Sequence, residues 1–192
     1  IAGKTAVVTG GGTGIGMGIA KELARRGVPV AIADIMIDNA RRTADEIVAA
    51  GGKAVAIPCD VCERTSIAAM RAEAEAAFGP IQLLFANAGA TNFQRLTEIA
   101  DNDIDWLIQV NLMGVINTVK AFLPGMIAAG GGHVVATSSM AGLLPGWIPL
   151  HTIYSAAKLG IIGFMMNLAM EVKQHGIQVS TYCPAGVDSG IG

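Results

Sequence analysis

Thr9-Gly10-Gly11-Gly12-Thr13-Gly14-Ile15-Gly16 is a glycine-rich stretch that follows an apolar, β-favouring run, Thr5–Thr9. After it, Ile15, Ile19 and Leu23 recur at helical spacing, so the pattern predicts a strand, a tight turn and a helix. The first N–H groups of a helix have no partner within the helix, and the helix dipole is positive at that end. Glycines leave room for a phosphate there and tolerate positive φ angles. We therefore predict that this turn holds a diphosphate.

The next strand strengthens this prediction. Val28–Ala33 is apolar and ends at Asp34, about 20 residues past the loop, where a carboxylate accepts hydrogen bonds from an adenosine ribose and repels a 2′-phosphate. The turn lacks the Gly-Lys-Ser/Thr ending of a P-loop, which argues against ATP or GTP hydrolysis. Two plainer interpretations stay open here: a glycine turn that only joins a strand to a helix, and a solvated strand-end acid.

Strand-like and helix-like segments alternate along the rest of the chain. Most predicted strands are continuous apolar runs, as in parallel sheets covered on both faces. With right-handed crossovers, this predicts one α/β domain over residues 1–192, a doubly wound parallel sheet in three α/β/α layers with strand order 3-2-1-4-5-6. The predicted helices after the first are Asn39–Ala50, Glu63–Phe78, Asp101–Ala128 and Tyr154–Gln174, and the later strands are Lys53–Pro58, Ile81–Ala86, His133–Thr137 and Ile177–Cys183, with a loop before Tyr154.

Ligands of such sheets bind outside the carboxyl ends of the strands. A purely structural domain has no need to gather polar residues along that edge, so we expect a ligand site there. The polar and turn residues that fall at those ends are the glycine loop, Asp34, Asp60, Asn87, Ser139 and Pro184.

Tyr154 and Lys158 are one helical turn apart, so the phenol and the ammonium point into the same cleft. A nearby ammonium and an oxidised nicotinamide are expected to lower the tyrosine pKa, so that the phenol exchanges a proton with an alcohol or carbonyl oxygen. Ser139 can hold that oxygen. Asn111, a polar residue inside an apolar helix, is expected to bond something specific. Each of these features also has a plainer interpretation when taken alone. The Tyr154–Lys158 spacing can arise by chance, Ser139 can simply end a strand, and Asn111 can be a core amide whose hydrogen bonds are satisfied within the fold.

In their order along the chain, these motifs resemble the short-chain dehydrogenase/reductase family from the first residues to the last. Thr9–Gly16 is similar to its Thr-Gly-x-x-x-Gly-x-Gly motif, and 87–89 to its Asn-Ala-Gly motif. The resemblance implies a Rossmann fold, with Tyr154 as general acid/base, Lys158 lowering its pKa and binding ribose, Ser139 holding the substrate oxygen and Asn111 supporting the site. It implies no metal site, and these cofactor-binding residues: Gly10, Thr13, Gly14, Ile15, Gly16, Asp34, Asp60, Val61, Asn87, Ala88, Gly89, Tyr154, Lys158, Pro184, Gly186 and Val187.

Three features differ from the family pattern. The interval from Ser139 to the candidate tyrosine is longer than usual, which lengthens the substrate-side loop and leaves Ser138 open as the catalytic serine. Ala185 and Ser189 replace the commoner Gly and Thr. The family's seventh strand and a helical segment over the substrate are absent from the chain, and we expect this C-terminal part to be missing through disorder rather than lacking from the protein.

Composition limits the partners of the chain. The formal net charge is -2, with no basic block, which argues against nucleic acid or an anionic membrane. The apolar runs are interrupted before about 18 residues, so no transmembrane helix is expected.

Cys59 and Cys62 lack a second pair or a histidine cluster, so we interpret Cys59 as a strand-end residue in a reducing, cytoplasmic setting. The helix Tyr154–Gln174 is apolar nearly all round and, with Asp101–Ala128, predicts a homodimer or homotetramer interface.

Asp34 favours NAD over NADP, and Arg41 and Arg42 are expected on a solvated face. The predicted substrate is a mostly apolar alcohol or ketone; for His151, a surface-loop position is favoured over a substrate contact. The residues expected to line the substrate side are Ala90, Thr91, Leu143, Leu144, Trp147, Ile148 and His151. Two functions follow: an NAD-dependent alcohol/ketone oxidoreductase, and a catalytically silent NAD-binding sensor or scaffold of the same fold.

Overall fold

In the part of the chain that the structure describes, six parallel strands form a single sheet, and numbered along the chain they lie in the order β3-β2-β1-β4-β5-β6, which confirms the predicted topology. The computed structural model describes Ile1, residues 3–146 and residues 148–187. Asp188 and Ser189, in the predicted nicotinamide-side segment, and Trp147, in the predicted substrate cleft, lie outside the described residues. The strands are β1 Ala6–Thr9, β2 Val30–Asp34, β3 Ala54–Pro58, β4 Leu83–Ala86, β5 Gly132–Thr137 and β6 Ile177–Tyr182.

Helices connect the strands and cover both faces of the sheet. In β1, Val7 belongs to one core cluster while Ala6 and Val8 belong to another, because successive side chains point to opposite faces of a strand. The helices are α1 Gly14–Arg25, α2 Ile37–Ala49, α3 Arg64–Phe78, α4 Asp101–Ile108, α5 Gly114–Ala128, α6 Met140–Leu143 and α7 Thr152–Val172. The first cluster contains buried residues of α3, α5 and α7, and the second contains those of α1 and α2.

Most observed elements differ from the predicted ones by one or two residues at their ends, where helices fray and strand pairing stops. Two differences are larger. The predicted helix Asp101–Ala128 contains a π turn, Gln109–Met113, between α4 and α5. The predicted loop after β5 contains the short helix α6, which Ser139 begins by accepting a hydrogen bond from the N–H of Ala141 at 3.1 Å.

Within the described residues, two helical segments are apolar enough to cross a membrane by length and composition alone, whereas the sequence predicts no transmembrane helix. They are Asp101–Ala128, with a mean hydropathy of 1.3, and Thr152–His175, with 1.4. The polar residues that interrupt these apolar runs do not lower the mean hydropathy of either segment enough to exclude it. In the fold, Phe122 of the first and Ile161 of the second are buried in the same core cluster on the sheet. A buried helix of a globular protein passes the same test, so the finding is weak evidence for a membrane span.

Candidate active site

The glycine loop between β1 and α1 is held tightly by its own chain. Gly10 and Gly14 have φ angles of 61° and 51°, in the region that favours glycine. A Cβ at Gly16 would overlap the carbonyl oxygen of Gly10 and lie 2.6 Å from Nδ2 of Asn87. The sequence predicts that these glycines make room for a diphosphate. The structure gives a second reason for glycine at these positions, because the loop packs against the end of β4 and leaves no space for a side chain.

The N-terminus of α1 opens onto a cleft along the carboxyl ends of the strands. Thr13 makes no side-chain capping hydrogen bond with the described residues, and the first turn carries no acidic residue. Thr13, Ile15 and Gly16 line the cleft. The amides at this helix end are therefore available to an anionic ligand.

Asp34, at the end of β2, is nearly buried and organises the loop. Its two carboxylate oxygens accept hydrogen bonds from the N–H groups of Gly12 and Met36, each at 2.9 Å. Its position in the cleft is as predicted, but this backbone-holding role was not foreseen. The carboxylate keeps further acceptor capacity, since each oxygen has two lone pairs.

Polar side chains tie the end of β4 to its neighbours. Thr9 Oγ1 accepts hydrogen bonds from the N–H groups of Asn87 and Ala88, at 3.0 and 3.1 Å. Thr137 Oγ1 donates to Oδ1 of Asn87 at 3.0 Å. This network fixes the floor of the cleft beside Gly89. Neither threonine is among the predicted site residues, although Thr9 begins the glycine motif and Thr137 ends a predicted strand.

Asn111 lies in the π turn and is fully buried. Its Oδ1 accepts from the N–H of Ala90 at 3.2 Å, and its Nδ2 donates to the carbonyls of Ala90 and Leu107 at 2.8 and 2.9 Å. These bonds join the chain after β4 to the helix, at a kind of helix distortion frequent at functional sites. Asn111 is not among the residues that line the cleft. Its geometry is that of a satisfied core amide that positions the site.

The two serines after β5 have different surroundings. Ser138 is buried, and its hydroxyl donates to the carbonyl oxygen of Lys158 at 2.7 Å. Ser139 is less buried, and its hydroxyl acts against the burial that raises the pKa of Tyr154. Of the two, Ser139 is therefore the one whose hydroxyl influences the tyrosine.

Tyr154 and Lys158 lie on one face of the first turns of α7, as predicted. Lys158 Nζ is 5.4 Å from the centroid of the Tyr154 ring and donates to the carbonyl of Thr137 at 2.9 Å. Lys158 is only 2% exposed. An ammonium has three donors, and one of them serves Thr137, so the others remain for a ligand in the cleft.

The pKa shifts in this pair differ from the expected ones. Burial raises the pKa of Tyr154, opposed by the hydroxyl of Ser139. Burial also lowers the pKa of Lys158 to about 8. The tyrosine pKa is thus raised and not lowered as expected, because desolvation disfavours the charged form of both groups. That Lys158 acts to lower the tyrosine pKa stays a prediction.

The cleft has a volume of about 1000 Å³ and brings together almost every predicted site residue. Of the cofactor set, Gly14 is not among the lining residues. On the substrate side, Leu143 and Leu144 are also not among them, because α6 leaves both side chains about half exposed. The predicted residues that do line the cleft are Gly10, Thr13, Ile15, Gly16, Asp34, Asp60, Val61, Asn87, Ala88, Gly89, Ala90, Thr91, Ser139, Ile148, His151, Tyr154, Lys158, Pro184, Gly186 and Val187.

The prediction that His151 lies on a surface loop is wrong. It is 6% exposed and packs edge-on against Phe93, with ring centroids 4.1 Å apart. Phe93 and Trp106 also line the cleft and were not predicted. The sequence does contain a signal for this position of His151. It stands three residues before Tyr154, a spacing that places two residues on the same face of a helix.

Cys59 and Cys62 line the cleft at the other end and are free thiols. Burial raises the pKa of both to about 11, so the unreactive thiol form predominates at neutral pH.

Arg41 and Arg42 are exposed and bond Asp38 and Asn39, as expected for a solvated face. Within the described residues, no three His, Cys, Asp or Glu side chains cluster as metal ligands.

The residues of the cleft fit a dinucleotide: an open helix N-terminus for phosphate and the unused donors of Lys158 for hydroxyl groups. The fold thus defines a Rossmann-type α/β domain. A family model described as short chain dehydrogenase matches residues 4–192, and the chain belongs to this family of oxidoreductases.

Individual relatives agree with this assignment. The chain is 37% identical over 187 residues to oxidoreductase UcpA of Salmonella typhimurium, covering 97% of this chain and 70% of that protein. A short chain dehydrogenase/reductase from Burkholderia phymatum in complex with NAD has a TM-score of 0.94 at 36% identity, covering 98% of this chain and 68% of that one. A metagenomic short-chain oxidoreductase in complex with NADP has a TM-score of 0.90 at 38% identity, covering 97% and 84%.

Proposed function

We propose that this protein transfers a hydride between NAD(H) and a secondary alcohol or ketone, with Tyr154 as general acid/base. The observation that carries the proposal is the common placement of Tyr154, Ser139 and Lys158 in the cleft onto which α1 opens. A bound NAD(H) would supply the hydride acceptor for an alcohol, or the hydride donor for a ketone, at the carbon that carries the reacting oxygen.

The protein's own groups handle the proton. Ser139 Oγ holds the reacting oxygen, and Tyr154 Oη takes the proton of an alcohol or donates one to a carbonyl oxygen. The raised pKa of Tyr154 favours the protonated phenol, which is the donor form. We therefore expect ketone reduction at neutral pH and faster alcohol oxidation as the pH rises.

The cofactor proposal rests on Asp34. Its carboxylate lines the cleft one strand away from the α1 N-terminus and would repel a 2′-phosphate. Arg41 and Arg42 are already engaged on the surface of α2. These contacts support NAD over NADP. Lys158 would bind ribose hydroxyls with its remaining donors, and Gly186 and Val187 would adjoin the nicotinamide.

We further propose that the protein works in the reducing cytoplasm, as a homo-oligomer on a small-molecule alcohol or ketone. Its free, high-pKa cysteines are consistent with that compartment.

The test is turnover by the purified protein of ketones with NADH and of alcohols with NAD, followed by nicotinamide absorbance. Tyr154→Phe should lower kcat by at least about 100-fold, because it removes only the proton-transfer oxygen. Tyr182→Phe, at the exposed end of β6, is the matched control and should keep the wild-type rate. NAD binding without turnover of any alcohol or ketone would instead indicate a silent sensor.

A further inference from the structure

The π turn Gln109–Met113 is bonded to two separate segments that line the cleft. Asn111 bonds the N–H and the carbonyl of Ala90, in the segment after β4. Gln109 Nε2 donates to the carbonyl oxygen of Cys62, in the segment after β3, at 3.2 Å. Residues two apart do not share a helix face, so the two amides extend toward different neighbours. One helical turn thus joins both segments.

The segment after β3, residues Cys59–Cys62, is called here the β3 loop. All four residues line the cleft, and they lie in neither a helix nor a strand. The N–H of Cys59 donates to the carbonyl oxygen of Asp34 at 3.0 Å, which fixes the start of the loop. Asp60 Oδ1 accepts the N–H of Cys62 at 2.9 Å, which folds the loop on itself. The glutamine of the π turn adds a bond from a distant element to the end of the loop.

The helix also packs directly on the β3 loop. A Cβ at Gly114, the residue after the π turn, would lie 2.8 Å from Cγ2 of Val61, which is too close for a side chain. Val61 is buried and belongs to the core cluster on this face of the sheet. The glycine therefore permits the close approach from which Gln109 reaches Cys62. Gln109 is itself partly buried, so water competes less for its hydrogen bond.

The β3 loop lies at the opposite end of the cleft from Tyr154. Along the edge of the sheet, β3 is four strands away from β5, which Ser139 follows. Strands lie about 4.8 Å apart, so the two ends are separated by roughly 19 Å. The N-terminus of α1, which suits a phosphate, follows the strand midway between them. A dinucleotide with its nicotinamide at Tyr154 therefore extends its adenosine toward Asp60.

We propose that Gln109 is a positioning residue for the adenosine half of NAD, because its hydrogen bond to Cys62 holds Asp60 and Val61 in place to receive the adenine. This inference rests on the proposed function. Gln109 is not among the residues that line the cleft, so it acts through the β3 loop. Asn111, in the same π turn, holds the chain near the reacting groups. The π turn thus fixes the spacing between the two ends of the cofactor site.

The experiment measures the Kd of AMP and of NAD by calorimetry with the purified protein, together with kcat and KM for the secondary alcohol that it oxidises fastest. Gln109→Met keeps the length of the side chain and removes the donor. It should raise both Kd values, and KM for NAD, by about fivefold, the effect of one hydrogen bond. At saturating NAD, kcat and KM for the alcohol should keep their wild-type values.

Two further variants distinguish positioning from general damage to the fold. Gln109→Lys restores a donor at similar reach and should recover most of the lost AMP affinity. Gln174→Met makes the same exchange at an exposed position after α7 and should leave both Kd values unchanged. If Gln109→Met does not fold, Gln109→Glu decides, because it keeps the shape of glutamine without the donor and should weaken AMP binding at least as much.

The outcomes separate the two proposals. Equal Kd values for AMP in folded Gln109→Met and in the wild-type protein overturn the role of Gln109 and leave the proposed function standing. A loss of AMP affinity that Gln109→Lys does not recover, with an equal fall in kcat, overturns it as well. Weaker AMP binding by Gln109→Met, beside a wild-type protein that binds NAD but oxidises no secondary alcohol, supports the role of Gln109 and contradicts the proposed function.

Discussion

Ser138 and Ser139 are adjacent, but only one of them influences the tyrosine. Ser139→Ala removes the hydroxyl that lowers the pKa of Tyr154. We expect kcat/KM to fall by about 100-fold or more and the pH at half-maximal alcohol oxidation to rise, since oxidation needs the deprotonated phenol. The measurement is a pH–rate profile.

Ser138→Ala is the matched control for that profile. Its hydroxyl bonds the Lys158 carbonyl, so the loss should appear as about 1 kcal/mol of stability. A shifted profile in Ser138→Ala and an unshifted one in Ser139→Ala would reverse the assignment.

Lys158 is a buried cation that lowers stability. Its pKa is about 8 in the folded protein against about 10.4 unfolded, so the unfolded state binds more protons between those values, and the free energy of unfolding rises with pH across that window. Lys158→Met should remove this rise and increase stability at pH 7 by about 1–2 kcal/mol, while abolishing activity. Urea unfolding at neutral and alkaline pH measures it. A destabilised Lys158→Met would show that the ammonium supports the fold.

Asp34 both holds the loop and faces the proposed ribose site. Asp34→Ala should weaken binding of NAD and NADP, through lost bonds to Gly12 and Met36, but reduce the preference for NAD by at least about tenfold. Titration with each cofactor gives the ratio. Asp45→Ala removes an exposed carboxylate of α2 and should leave the ratio unchanged. An unchanged ratio in Asp34→Ala would contradict the NAD preference.

At the scale of one element, α1 contains two glycines with opposite surroundings. A Cβ at Gly16 would collide with Gly10, whereas one at Gly18 meets nothing within 4 Å. Gly16→Ala should lower stability by about 1–3 kcal/mol and abolish thermal stabilisation by NAD. Gly18→Ala should raise stability by up to about 1 kcal/mol, because alanine favours the helix. Equal effects on the melting temperature would contradict the packing of the loop against α1.

At the scale of the whole molecule, α7 has an apolar face that the sheet does not cover. Leu159, Met166 and Met170 are 49%, 67% and 80% exposed. We propose that a second copy of the chain covers this face, as unusually large apolar patches mark interfaces. Met166→Glu with Met170→Glu should reduce the molar mass measured by light scattering. Val48→Glu, which alters an exposed apolar residue of α2, should not. A monomeric wild-type protein would contradict the interface.

The strand order, the glycine turn and the positions of Asp34, Tyr154 and Lys158 were all predictable from the sequence. Their signals are local: hydrophobic period, turn residues, and spacing along a strand or helix. The π turn around Asn111 was not predictable, because its side-chain bonds reach Ala90. The burial of His151 was missed for the same reason, since its partner Phe93 lies far away in sequence.

The amino-acid order alone therefore determines which strands pair and which chemical groups gather at their carboxyl ends, because both follow from patterns among neighbouring residues. The state of those groups depends on folding. Lys158 is desolvated and bonded to the carbonyl of Thr137, the hydroxyl of Ser138 bonds the carbonyl of Lys158, and His151 is enclosed beside Phe93. Desolvation and hydrogen-bond partners are properties of segments distant in sequence that become neighbours only in the packed molecule.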